Sequence, residues 1–170
     1  MKTDIIGTID SKAHREYFLK EFKRRFGHLN FKEESEQKSK GEQIILTIQS
    51  PSKTLGDLRV FLSHYEITIA FPQMSFHTHF DIANSIHHVA PDADASIRPR
   101  ISALDFIKRI IDDRLFIRCY KRKGIIETAT VIDSATGKLQ DSQFTFSRPF
   151  KRFFLKYDKE DYYWSGKQAL

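Results

Sequence analysis

A single cysteine, Cys119, stands in 170 residues. One thiol cannot form an intrachain disulfide or a cysteine-rich zinc site, and it sets a reducing compartment as the expectation. No window approaches the roughly 18 apolar residues of a membrane span. The stretch from Met1 to Gly7 is too short in apolar residues for an export signal. The expected location is therefore the cytoplasm, with no membrane partner. Also missing are a phosphate-binding glycine loop, a nucleophile elbow and the second histidine motif that paired-histidine phosphoesterases require. Glycine and proline are sparse, at seven and five, which argues against a disordered segment.

Apolar side chains are plentiful. The hydrophobic fraction is 40%, with fifteen phenylalanines, which is the composition of a packed globule, and the length fits one domain, residues 1–170. The net charge of +6 favours acidic partners or polyanions through long-range attraction. The positive excess lies after Arg98, whereas Leu62 to Ala95 carries almost no Lys or Arg and most of the histidines.

From Ser11 to Phe26, Phe18, Phe22 and Phe26 recur every fourth position with Tyr17 alongside, which predicts an amphipathic helix capped by Asp10 or Ser11 and closed by a left-handed Gly27. Asn30 to Gly41 is polar and reads as a solvated loop or frayed strand. Gln43–Ile48, Leu58–Leu62 and Tyr65–Phe71 have strand composition and short punctuating gaps, the pattern of an antiparallel meander.

The segment beyond Asp81, as far as Pro99, reads as loop with a short helical turn. Ser102 and Asp105 then form a variant capping box before a helix whose apolar stripe is Leu104, Ile107, Ile111 and Leu115. Strands are expected at Phe116–Tyr120, Ile125–Ile132, Ser142–Phe146 and Phe153–Tyr157, with turns at Lys121-Arg122-Lys123-Gly124 and Ser134-Ala135-Thr136-Gly137. The order helix, strands, helix, strands gives an α+β fold, a mostly antiparallel sheet with two main helices packed on one face.

One segment carries ligand chemistry. In Phe76-His77-Thr78-His79-Phe80-Asp81, strand alternation sends His77, His79 and Asp81 to one face. Two imidazoles and a carboxylate suit a divalent transition metal, so a metal-dependent enzyme is an alternative reading, with His64, His87 and His88 as unplaced further ligands. The plainer reading anchors Phe76 and Phe80 in the core and leaves the polar face to solvent. Cys119, inside an expected strand, reads as a buried inert thiol.

A second alternative is single-stranded nucleic-acid binding. Phe144, Phe146, Phe150, Phe153, Phe154 and Tyr157 are interleaved with Arg148, Lys151, Arg152 and Lys156, a combination suited to base stacking and phosphate contact. A core strand pair with solvated cations explains the same pattern. Tyr162, Tyr163 and Trp164 follow an acidic interruption and are anchors either for a protein partner or for the core.

The run Tyr65–Phe71, then Phe76–Asp81, then Ala103–Ile111, together with the ending Tyr163-Trp164-Ser165-Gly166, resembles small bacterial immunity proteins, the partners of secreted or contact-delivered toxins. The resemblance implies an intracellular, non-catalytic protein without a cofactor that neutralises a cognate toxin by binding it. Immunity proteins that block basic nucleases are usually acidic, so a chain at +6 implies a toxin with an acidic face. Expected exposure, and not the family pattern, nominates Arg118, Lys121, Arg122 and Lys123 with Tyr162, Tyr163 and Trp164 as contact residues. Nothing in the sequence selects an oligomeric state.

Overall fold

The computed structural model describes residues 11–39, 41–82, 101–140 and 157–167. Helix α1 spans Ser11–Phe26. Its four-residue repeat places Phe18, Phe22 and Phe26 in the core, while Tyr17, one position off the stripe, is exposed. Gly27 closes the helix, but not in the left-handed region. A Cβ there would lie 2.4 Å from the Lys23 carbonyl oxygen, so close approach and not backbone handedness favours glycine.

Five strands follow as a meander: β1 (Phe31–Lys38), β2 (Gly41–Ile48), β3 (Leu58–Leu62), β4 (Glu66–Phe71) and β5 (Phe76–Asp81), hydrogen-bonded in that order and antiparallel throughout. The stretch that reads as loop or frayed strand in sequence is thus a full strand. Phe31 packs on Phe22, but every later residue of β1 is exposed, so an unbroken register with β2 and not side-chain burial holds it. A 3-10 turn at Pro72–Met74 reverses β4 into β5.

Helix α2 (Ala103–Ile111) begins as its capping sequence requires. Ser102 Oγ accepts from the Asp105 backbone N–H at 3.1 Å and donates to Asp105 Oδ2 at 2.8 Å. Asp105 Oδ1 also accepts from Arg25 Nη1 at 2.8 Å, tying the end of α1 to the start of α2. Ala103, Leu104, Phe106, Ile107 and Ile110 are buried, so α2 is covered over more of its circumference than one stripe.

The remaining strands among the described residues, β6 (Leu115–Arg122), β7 (Ile125–Asp133) and β8 (Asp158–Tyr162), form a second antiparallel sheet in the order β7-β6-β8, where the sequence suggested one. The β6–β7 turn is two residues, Lys123 and Gly124, both with positive φ, so Lys121 and Arg122 belong to the strand. One hydrophobic cluster joins both helices and both sheets, with Phe71, Met74, Ile117, Cys119, Val131 and Trp164 among its members. The strands expected at Ser142–Phe146 and Phe153–Tyr157, the cap at Asp10 and the pair His87-His88 fall wholly or mainly outside the described residues.

Candidate functional site

Among the described residues, two regions gather the chemically capable side chains. The first is the outward face of the five-stranded sheet. Phe76 and Thr78 of β5 are buried, whereas His77, His79 and Asp81 are exposed, as the alternation expects. Thr68 Oγ1 donates to Glu66 Oε1 at 2.8 Å, and His79 Nδ1 lies 2.7 Å from that same carboxylate oxygen and 3.1 Å from Thr68 Oγ1. The His77 ring stands edge-on to His79, centroids 5.1 Å apart. Partial burial pushes the Glu66 carboxyl up, but hydrogen bonds from Thr68 and His79 and the nearby imidazoles outweigh it, and the net shift is downward.

This cluster does not have the geometry of a nucleophile relay. Such a relay uses the two imidazole nitrogens separately, one for the hydroxyl and one for the carboxylate. Here Thr68 and Glu66 both converge on Nδ1. Among the described residues, no group of three or more His, Cys, Asp or Glu side chains could hold a metal ion. His77, His79 and Asp81 therefore share a face without sharing a coordination point.

The second region is the β6–β8 sheet. Arg118 Nε and Nη2 donate to Asp161 Oδ1 and Oδ2, both at 2.7 Å, and this carboxylate holds the guanidinium above its usual range. Lys121 Nζ donates to Glu160 Oε2 at 2.6 Å and to the Tyr162 hydroxyl at 2.9 Å. The Glu160 bond, then the Tyr162 bond, raise the ammonium pKa, and the ammonium in turn lowers Glu160. Tyr162 also donates to Glu160. Arg122 Nε donates to Glu127 at 2.5 Å. Lys123 is exposed at the hairpin tip.

The seven nominated contact residues are thus spread from the β6–β7 hairpin tip to the far end of β6 and β8, and are not one surface. Phe116, which stacks on Tyr163, and Arg118 alternate along β6 with inward-facing Ile117 and Cys119. Trp164 is 6% exposed and packs against Phe71, in the core. Cys119 is buried with Sγ 3.5 Å from Met74 Sδ, and burial pushes its thiol up to about 11, which suits an inert side chain.

Alongside β8 lies an open polar cleft of about 410 Å³. Ser52 and Thr54 form part of its lining, and Lys159 through Tyr163, Gly166 and Lys167 form the rest. Lys159 and Lys167 make no ion pair among the described residues, whereas Glu160 and Asp161 are engaged by Lys121 and Arg118. Sequence reasoning missed Lys159, Lys167, Ser52 and Thr54, because nothing local signals that the loop after β2 meets the end of the chain. It also missed Glu66 and Thr68, although alternation along β4 and the meander pairing put both on the histidine face, beside Asp81 and His79.

Comparison with protein-family models, with curated proteins and with solved structures finds no match.

Proposed function

We propose that the chain is a protein-binding module of the immunity type its sequence resembles, one that neutralises a cognate bacterial toxin in the cytoplasm by direct contact. The observation that carries this reading is the charge balance of the cleft beside β8. Its two carboxylates are satisfied within the chain, while its two ammonium groups, on Lys159 and Lys167, are not engaged by any described carboxylate. Tyr162 and Tyr163 supply rigid amphipathic contact area beside them. The cleft therefore favours an acidic segment of a partner. Arg118 and Lys121 act from behind by fixing the cleft's own acids, and Arg122 and Lys123 border the surface at the hairpin tip.

In this reading both helices pack on one face of the strand layer, and the cleft stays open at the far edge of the second sheet. The nucleic-acid alternative is weakened by the same ion pairs, since Arg118, Lys121 and Arg122 already serve carboxylates that a phosphate would have to displace. The enzyme alternative lacks a relay at His79.

The test is to co-express the protein encoded beside this chain in its genome and to measure binding by calorimetry at rising salt, with growth rescue as the functional readout. Expected are rescue, one-to-one binding that weakens with salt, and at least about a tenfold loss in a Lys159→Glu, Lys167→Glu variant. A neighbour that is neither toxic nor bound, or one bound equally by the variant, overturns the reading.

A further inference from the structure

The outward face of the five-stranded sheet has a charge pattern that strand register makes explicit. Reading across the strands, one row is Lys32, Thr47, Arg59, Ala70 and His77. The next is Glu34, Ile45, Phe61, Thr68 and His79. The third runs from Glu36 and Gln43 through Ser63, whose N–H bonds the Glu66 carbonyl, to Glu66 and Asp81. The first row thus carries the basic groups and the third the acidic ones, of which Glu36 also pairs with Lys38 at 3.4 Å and Glu66 with His79 at 2.7 Å, exposed contacts that a second copy's cations would share. Between them Ile45 and Phe61 are half-buried, two large apolar side chains at the centre of a face whose charged residues Lys32, Arg59, Glu66 and Asp81 are exposed. Antiparallel sheets commonly pack one face on the core and solvate the other with mostly polar residues. An apolar centre flanked by rows of opposite sign is a different pattern.

We propose that this face is an interface for a second copy of the chain. A two-fold axis lying between two such faces, parallel to the middle row, exchanges the outer rows and keeps each strand over its own equivalent. Lys32 of one copy then meets Glu36 of the other, and His77 meets Asp81. Arg59 falls diagonally beside the second copy's Glu66, while Phe61 meets Phe61 and Ile45 meets Ile45. Every opposite-charge contact occurs twice, as an isologous interface requires. Glu34 meets its own equivalent, a single repulsive contact flanked on both sides by the two Lys32–Glu36 contacts. His79 meets its equivalent with its Nδ1 already held by Glu66. Sheets packed face to face are about 10 Å apart, within reach of these long side chains.

The partner is a second copy because the complementarity is internal to the face. No other surface has to be supplied for the rows to match. The footprint is modest, with sides on the order of 20 Å for five strands and five residues. That is below the roughly 800 Å² that each partner gives to a standard interface. The dimer is accordingly weak, with a dissociation constant of about 10–500 µM.

The experiment is sedimentation equilibrium of the full chain from about 5 µM to about 1 mM, a span that brackets that constant. Wild type is expected to show a reversible monomer–dimer equilibrium that weakens with salt. Lys32→Glu, on an exposed edge strand where folding is not at stake, is expected to weaken the dimer about tenfold or more, because two attractive contacts become repulsive. Adding Glu36→Lys to that variant reverses both partners and is expected to restore the dimer to within about threefold of wild type. Phe61→Asp is expected to leave monomer only, with an unchanged circular-dichroism spectrum as the folding control. A monomer throughout the range, or a dimer that ignores Lys32→Glu or is not restored by the swap, overturns the proposal. Because Lys32 and Lys159 lie on different sheets, loss of dimerisation and loss of toxin binding are separable.

Discussion

Arg118 and Asp161 meet fork to fork across β6 and β8, with Nε to Oδ1 and Nη2 to Oδ2 both at 2.7 Å. Two parallel charge-assisted bonds fix orientation as well as distance. They explain how a strand as charged as Asp158-Lys159-Glu160-Asp161-Tyr162 holds to the sheet, since four of its five side chains have poor strand propensity. Asp161→Ala is therefore expected to destabilise the chain by about 1–3 kcal/mol, mostly by leaving a half-buried guanidinium without its acceptor. Urea denaturation checks the value. Hydrogen exchange should show the loss concentrated in β8, and a uniform loss across both sheets would refute the local role.

The Glu66 carboxyl has a native pKa below its ordinary 4.5. A depressed carboxylate contributes stability that is fully present above the unfolded value and is lost as pH falls through the native one. The denaturation midpoint is thus expected to fall below about pH 4.5, and Glu66→Gln should flatten that part of the profile. Glu66 is about half exposed, so after solvent screening the contribution is below about 1 kcal/mol. A profile unchanged by Glu66→Gln would show that the Thr68–Glu66–His79 bonds contribute nothing net.

How much of this was legible beforehand differs by mechanism. Helix α2 was readable because capping and periodicity are local, and Ser102 caps it through Asp105 as the spacing required. The outward placement of His77 and His79 was readable because alternation needs only an extended backbone. Strand β1 was harder, because seven of its residues are exposed and carry no hydrophobic period, and its hydrogen bonds to β2 leave no mark in composition. The cleft was not readable. Its lysines acquire meaning only when Ser52 and Gly166, far apart in sequence, come together. Trp164 illustrates the limit on single residues, since a terminal Tyr-Tyr-Trp run suits a surface anchor and a core plug equally, and packing against Phe71 decides for the core.

Removing the Ser102 side chain isolates the capping term. Ser102→Ala leaves the Asp105 backbone N–H without its acceptor and frees one oxygen of a carboxylate that also receives Arg25. The expected loss is about 1 kcal/mol, in the range of N-cap deletions, and up to about 2 because the site is largely buried. Ser102→Asp, which can accept from the same N–H, should recover little, since it sets a second carboxylate against Asp105. Midpoints of the three proteins in urea order the cases, and equal midpoints would remove the cap from the account.

Burial and the shift of its thiol to about 11 make Cys119 a probe of the intact fold. At pH 8 the thiolate fraction is about a hundredfold below that of a thiol at the ordinary 9.0, and the thiolate is the species that attacks disulfide reagents. Native protein is therefore expected to react with an aromatic disulfide reagent at least about a hundredfold more slowly than protein in urea. The native rate should follow the opening equilibrium, so it should rise in Asp161→Ala and Ser102→Ala in the order of their lost stability. Rapid labelling of the folded chain at pH 8 would contradict the core position opposite Met74, and with it the shared core that joins the second sheet to the first.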